Sequence, residues 1–224
     1  MDLERYLAAH TIASISELPW TGAKIDAEAL LEASPDPLAI INFGQCYLKS
    51  YLARRINELG LVRRGSFILS SGKKSDIYVD MRKLWAFPKL ARLASLLMAS
   101  LLMEKVKYAA LVGVATGGIP LAAHLSVTLG WPMGYVRPKR KDHGQMKLVE
   151  GIEEGMKAIV IDDVTTTGKS LAQSIDALRD AGIEVVLAAT LLDREEGSES
   201  MIASRNVEFV RLLTLNEVLR GLQC

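Results

Sequence analysis

The run Ala158–Ser170, AIVIDDVTTTGKS, constrains the fold more than any other stretch of the chain. The apolar residues Ala158–Ile161 stop at two adjacent carboxylates, Asp162 and Asp163. Three threonines, a glycine and a Lys-Ser pair follow, and then an amphipathic stretch, Leu171–Ala181. A short apolar run bounded by polar turn residues reads as a buried strand, the polar residues after it as a loop, and the amphipathic stretch as a helix. In an open parallel sheet, ligands bind in the crevice beyond the carboxyl ends of the strands. A loop of small hydroxyl residues entering a helix N-terminus offers backbone N–H groups and a favourable dipole to a phosphate.

Gly168-Lys169-Ser170 ends like a P-loop, but that pattern needs a glycine five positions earlier, where Asp163 stands. Paired carboxylates beside a phosphate loop suit a sugar phosphate better than a nucleotide's β- and γ-phosphates. The hydroxyls of a ribose would meet the acids, and a 5′-phosphate would sit in Thr165–Lys169. An acidic strand end with a plain polar turn is the bland alternative, and the co-occurrence of all these elements counts against it.

The rest of the chain fits the same architecture. Strand Tyr108–Val114, helix Ile119–Leu129 and strand Met133–Val136 precede strand Lys157–Ile161, helix Lys169–Asp180 and strand Glu184–Leu192. A last strand, Val207–Leu213, leads to a terminal helix. Alternating elements of this kind predict an α/β fold, a doubly wound parallel sheet with right-handed connections. Upstream, Leu90–Val106 reads as a long amphipathic helix, and Cys46–Leu59 as a helix ending at Gly60. Phe67–Leu69 and Ile77–Val79 flank the polar stretch Ser70–Asp76 as a hairpin. Residues 1–37 read as short helices separated by turn signals.

Composition excludes several classes. Among 224 residues, 27 basic and 26 acidic side chains leave a net charge of +1, so bulk attraction to nucleic acid or an anionic membrane is not expected. The stretch Tyr108–Val136 has no Asp, Glu, Lys or Arg, but four glycines and two prolines between Gly113 and Pro132 break it into core elements instead of a membrane span. Cys46 and Cys224 lie far apart without ligand-like spacing, so neither a disulfide nor a zinc site is expected, and a reducing cytoplasm fits. The polar N-terminus does not read as a signal peptide.

Two further segments carry chemistry. Gly113–Pro120, GVATGGIP, places adjacent glycines at a strand end, where backbone can approach a ligand closely, although a tight structural turn needs glycine too. Arg137–Gly144, RPKRKDHG, concentrates four basic residues in five positions, with Pro138 and Gly144 opposing a helix. A solvated loop is the ordinary reading of such a run. A loop closing over a polyanionic leaving group is the functional one.

Apolar strand, Asp-Asp and Thr/Gly-rich loop together resemble the signature of type I phosphoribosyltransferases, which use phosphoribosyl pyrophosphate (PRPP). That resemblance implies that Asp162 and Asp163 face the ribose hydroxyls. Val164, Thr165, Thr166, Thr167, Gly168, Lys169 and Ser170 then surround the 5′-phosphate. Ala115, Thr116, Gly117 and Gly118 contact the pyrophosphate, through backbone amides because Gly117 stands where some relatives carry lysine. Lys141-Asp142-His143-Gly144, followed by Glu150-Gly151, is similar to orotate phosphoribosyltransferases. By that likeness Lys141 is the catalytic-loop lysine, and Arg137, Lys139 and His143 assist at the pyrophosphate, with Pro138 in place of a lysine of relatives. Phe67–Arg82 resembles the family's orotate-binding hairpin, which puts Lys74, Tyr78 and Val79 at the ligand and Ser70 where some relatives have a PRPP-contacting lysine. Arg194, in LDREEG, matches the arginine that pairs with the orotate carboxylate, a group whose planar shape a guanidinium fork fits. Taken alone, Arg194 would read as a surface arginine paired with Glu195 or Glu196.

The resemblance implies a type I phosphoribosyltransferase-like fold over residues 46–224, with a small hood at about 46–85 and the parallel core at about 86–215. Residues 1–45 are expected to form an N-terminal helical extension with no counterpart in the usual short enzymes. The implied reaction is orotate plus PRPP to orotidine 5′-phosphate plus pyrophosphate, with Mg²⁺ carried between pyrophosphate and ribose hydroxyls and no metal site of the protein's own. Also implied is a cytoplasmic homodimer whose catalytic loop crosses to the partner. The rivals are a purine or uracil phosphoribosyltransferase and a non-catalytic PRPP-binding regulator.

Overall fold

Helix α1 (Pro37–Glu58) opens the described part of the chain, which comprises residues 37–68, 74–137 and 148–222 of this computed structural model. The chain then forms a hairpin of β1 (Val62–Ile68) and β2 (Lys74–Val79), a 3₁₀ turn (Met81–Ala86) and helix α2 (Pro88–Lys105). Pro88 heads α2, where its fixed φ suits the first turn and its missing N–H is no loss. Next come β3 (Ala110–Val114), α3 (Gly118–Leu129), β4 (Met133–Val136) and the short β5 (Val149–Glu150). The chain continues through β6 (Lys157–Thr165), α4 (Lys169–Asp180), β7 (Glu184–Asp193), α5 (Ser198–Ala203), β8 (Glu208–Thr214) and α6 (Leu215–Arg220).

The main sheet runs β5-β4-β3-β6-β7-β8, parallel throughout except for the antiparallel edge strand β5. Counting the parallel strands in chain order gives 2-1-3-4-5, a doubly wound order whose switch point lies between β3 and β6. Strand side chains alternate between the two faces. Ile159 and Ile161 join Leu121, Ala122 and Leu125 of α3 and the buried faces of α1 and α2. Ala158 and Val160 join Leu171, Ala172, Ile175 and Leu178 of α4 on the other side. With helices on both faces, β3 is buried and without a polar side chain at all five positions, and β6 is apolar through Ala158–Ile161 before its acids.

The expected α/β fold is therefore present, with differences at the element ends. The helix expected from Cys46 starts at Pro37 and runs unbroken past residue 45. Strand β1 begins at Val62, five residues before the hairpin strand expected from the sequence. A bulge between Arg64 and Phe67 interrupts its alternation and conceals the first half. Strand β6 continues beyond Ile161 because its pairing with β7 runs on through Val164–Leu192 and Thr165–Asp193, so both acids sit in strand. The 3₁₀ turn, β5 and α5 are too short to leave a periodic signal in the sequence.

One expectation is corrected: Cys46 is disulfide-bonded. Helix α6 packs against α1, so the fold carries the chain's C-terminal end towards the helix bearing Cys46; the other cysteine, Cys224, lies outside the described residues. No helix among the described residues is long and apolar enough to cross a membrane.

Candidate active site

The turn after β3 and the end of β6 meet at the switch point. A Cβ on Gly117 would overlap the Asp163 carboxylate, and one on Gly118 would overlap the Ile161 carbonyl. The Ala115–Gly118 turn therefore lies directly against the acid pair, an approach open only to glycine at these two positions. The Ala115–Thr116 peptide is cis, and the Ala115 N–H donates to the Val136 carbonyl at 3.0 Å.

Asp162 and Asp163 are each 8% exposed. The Asp163 N–H donates to Asp162 Oδ1, and the Val164 N–H to Asp163 Oδ1, both at 2.9 Å. Burial pushes the Asp162 carboxyl well above the usual carboxylate range, and the charge of Asp163 adds to the rise. Burial raises Asp163 as well, opposed by its hydrogen bonds to Asp162 and Val164 and by the charge of Arg82. Two buried acids with few donors of their own are suited to accept hydrogen bonds from a ligand's hydroxyls.

The Thr166–Gly168 turn comes next. Gly168 has φ 78°, and a Cβ there would press on the Ser198 backbone at 3.0 Å, so α5 closes over this turn. No side chain caps α4, which leaves its first-turn N–H groups open to an anion. Thr166 is half-buried, and Thr167, Lys169 and Ser170 are exposed.

Across this loop, the Arg194 N–H donates to the Thr165 carbonyl at 2.9 Å. The Arg194 side chain is only 9% exposed. Its Nη2 reaches Glu196 Oε1 at 2.9 Å and Ser75 Oγ of the hairpin at 3.3 Å, while Nε is buried without a partner. The Glu196 pairing weighed for a surface arginine exists, but on a guanidinium that is buried. Tyr78 and Val79 lie on the same strand as Ser75, and the Phe67 and Tyr78 rings stand 5.4 Å apart. Lys74 begins β2.

Arg137, at the end of β4, is engaged locally. Its Nε donates to Glu150 Oε1 and its Nη2 to the Tyr135 hydroxyl, each at 3.0 Å. Lys139, Lys141 and His143, with Pro138 and Ser70, lie outside the described residues.

Arg82 and Ser75 were not singled out from the sequence. Arg82 Nε donates to Asp80 Oδ1 at 2.9 Å, and its charge acts on Asp163. The Asp80-x-Arg82 spacing was the one local signal available. Among the described residues no group of three or more His, Cys, Asp or Glu could hold a metal ion.

The phosphoribosyl transferase domain family matches residues 83–208. The orotate phosphoribosyltransferase of Aeropyrum pernix is 42% identical over 176 residues, 78% of this chain and 95% of that protein. The crystal structure of orotate phosphoribosyltransferase from Aeropyrum pernix matches with a TM-score of 0.65, covering 75% of this chain and 96% of its own. That of Mycobacterium tuberculosis H37Rv orotate phosphoribosyltransferase in complex with PRPP matches with a TM-score of 0.64 at 29% identity, covering 76% and 98%.

Proposed function

The chain belongs to the phosphoribosyl transferase domain family, among its orotate phosphoribosyltransferases, and from that premise we propose how its site divides the reaction. The reaction joins orotate to C1′ of PRPP and releases pyrophosphate, a step of pyrimidine biosynthesis. A ring nitrogen of orotate forms the new bond to C1′ as the C1′–O bond breaks, its electron pair leaving with pyrophosphate. The nitrogen's proton is released.

Asp162 and Asp163 accept hydrogen bonds from the ribose hydroxyls and stabilise the positive charge that grows on the sugar. The backbone of Thr165–Ser170, with Lys169, holds the 5′-phosphate. The amides of Ala115–Gly118 receive the pyrophosphate. Lys141 meets the leaving group's charge, assisted by Arg137, Lys139 and His143; the family resemblance supports this assignment. Orientation of the two reactants supplies much of the rate.

Arg194 takes the orotate carboxylate, with Tyr78 and Val79 beside the ring and Lys74 near the ligand. The observation that carries this reading is the buried guanidinium with an unpartnered Nε, which a planar carboxylate would satisfy. Mg²⁺, when bound beside Asp162 and Asp163, would neutralise charge on the departing pyrophosphate. Two carboxylates, with no third His, Cys, Asp or Glu grouped with them among the described residues, would suit a Mg²⁺ that arrives with substrate phosphates.

A cytoplasmic homodimer with the Lys141 loop crossing between subunits completes the proposal, on the resemblance. Orotate absorbance should fall on adding PRPP and Mg²⁺, whereas hypoxanthine and uracil should be unchanged; turnover of either in place of orotate would overturn the assignment. Mixing Lys141→Ala subunits with Asp162→Asn/Asp163→Asn subunits should restore activity. Proven heterodimers without activity would refute the crossed loop.

A further inference from the structure

Asp193, the last residue of β7, is fully buried and belongs to none of the groups assigned to substrate above. Its Oδ1 accepts from the Glu195 N–H at 2.9 Å, and Ser198 Oγ lies 2.8 Å and 2.9 Å from its two oxygens. Arg211 Nη1, from β8, donates to Oδ2 at 3.1 Å. A carboxylate so buried is tolerable only when paired and hydrogen-bonded, and three separate groups meet it here. Ser198 is itself 1% exposed, and Arg211 also holds Glu199 of α5 through both terminal nitrogens at 3.1 Å.

These bonds build a turn around Arg194. The Asp193–Glu195 bond closes over it, and Glu195 sits at φ 59°, a conformation that side-chain-bearing residues rarely adopt without support. On the other side the Arg194 N–H is held by the Thr165 carbonyl. With its main chain fixed from both sides, Arg194 sends its guanidinium to Ser75 of the hairpin.

We propose that Asp193 is the positioning residue of Arg194: by holding the Glu195 N–H, Ser198 and Arg211, it aims the guanidinium that receives the orotate carboxylate. This rests on the reading of Arg194 given above. A role confined to stability would lower the melting temperature and leave the balance between the two substrates untouched.

The test uses the full-length enzyme as wild type, Asp193→Ala, Asp193→Asn, Ser198→Ala and Arg194→Ala. It reads KM for orotate and for PRPP, the thermal midpoint, and the ¹⁵N NMR signal of the Arg194 Nε–H, identified by its loss in Arg194→Ala. Asp193→Ala should raise KM for orotate about tenfold or more relative to that for PRPP, and should broaden or shift the Arg194 signal. Asp193→Asn keeps an oxygen for the Glu195 N–H and should stay within about threefold of the wild-type ratio. Ser198→Ala should fall between the two, and it carries the test if Asp193→Ala does not fold.

Equal rises in both KM values, or a lowered midpoint with the KM ratio and the Arg194 signal unchanged, would overturn the proposal. If Arg194→Ala itself leaves the KM ratio unchanged while the Arg194 signal still depends on Asp193, positioning stands and the carboxylate reading falls.

Discussion

At the ends of β3 and β6 the site is made of main chain and two short buried acids, whereas at the end of β7 it hangs on one long guanidinium reaching to the hairpin. On the first side, Gly117 and Gly118 bring a turn so close to Asp163 and Ile161 that a single methyl group would not fit. On the second, Arg194 is anchored by its own backbone, by Ser75 and by Glu196, and it retains an unfilled donor. Backbone and short acids suit what every PRPP-dependent reaction shares, a ribose and its phosphates. A long side chain between two structural units suits what differs, the accepting base.

The largest effect is expected on the first side. Asp162→Asn with Asp163→Asn should lower turnover by about 10²–10³-fold, as for lost transition-state electrostatics. The same change should raise the thermal midpoint at neutral pH. The folded-state pKa of each acid lies above its unfolded value, so wild-type stability is greatest below the unfolded pKa and falls as pH rises through the folded one. Asn carries no such penalty, so the variant's advantage should be present at pH 7 and vanish on acidification. For a chain this size each kcal/mol relieved is worth about 2–4 °C. A variant melting below wild type at pH 7 would mean that the acids also hold the fold.

Arg194→Ala comes next. It should weaken orotate by about 1.5–3 kcal/mol, the range for hydrogen bonds to a charged group, and leave PRPP nearly untouched. Substrate titrations of the variant check this, and equal weakening of both ligands would erase the contrast between the two sides.

These two sides were not equally legible in the sequence. Asp162, Asp163 and the Thr165–Ser170 turn stand in one contiguous strand–loop–helix, where apolar run, acids and helix start are local signals; α4 and β4 have the bounds expected. The glycine turn was legible as a close approach, but not what it approaches, because Asp163 lies far along the chain. Arg194 was recognisable by motif, yet its partner Ser75 is 119 residues away and shares no pattern with it. Arg82 reaches Asp163 only because the 3₁₀ turn packs against β6. The front of β1 was hidden by its bulge, and the disulfide at Cys46 by a helix–helix contact between the two ends of the described chain.

Gly117→Ala tests the closeness of the first side directly. The added carbon meets a buried carboxylate, so either the turn or Asp163 must move, at about 1–3 kcal/mol as for overpacking. The loss should appear in PRPP binding and in the melting temperature, with KM for orotate little changed. An unaltered KM for PRPP would separate this turn from the pyrophosphate.

Ser75→Ala should have the smallest effect and the sharpest meaning. The Ser75 hydroxyl donates to the Ile77 carbonyl at 2.8 Å, accepts from the Ile77 N–H at 3.2 Å and receives Arg194 Nη2 at 3.3 Å. The last of these is long, and Arg194 keeps its ion pair with Glu196 without it, so the loss in orotate binding should be about 0.5–1.5 kcal/mol. PRPP should be unaffected, because no described bond of Ser75 leads to the acids or to the Thr166–Gly168 turn. A double-mutant cycle with Arg194→Ala decides whether the two act as one device: in direct contact, their effects should fail to add. Strict additivity would mean that Ser75 shapes the hairpin on its own account, and that Arg194 is aimed from the β7 side alone.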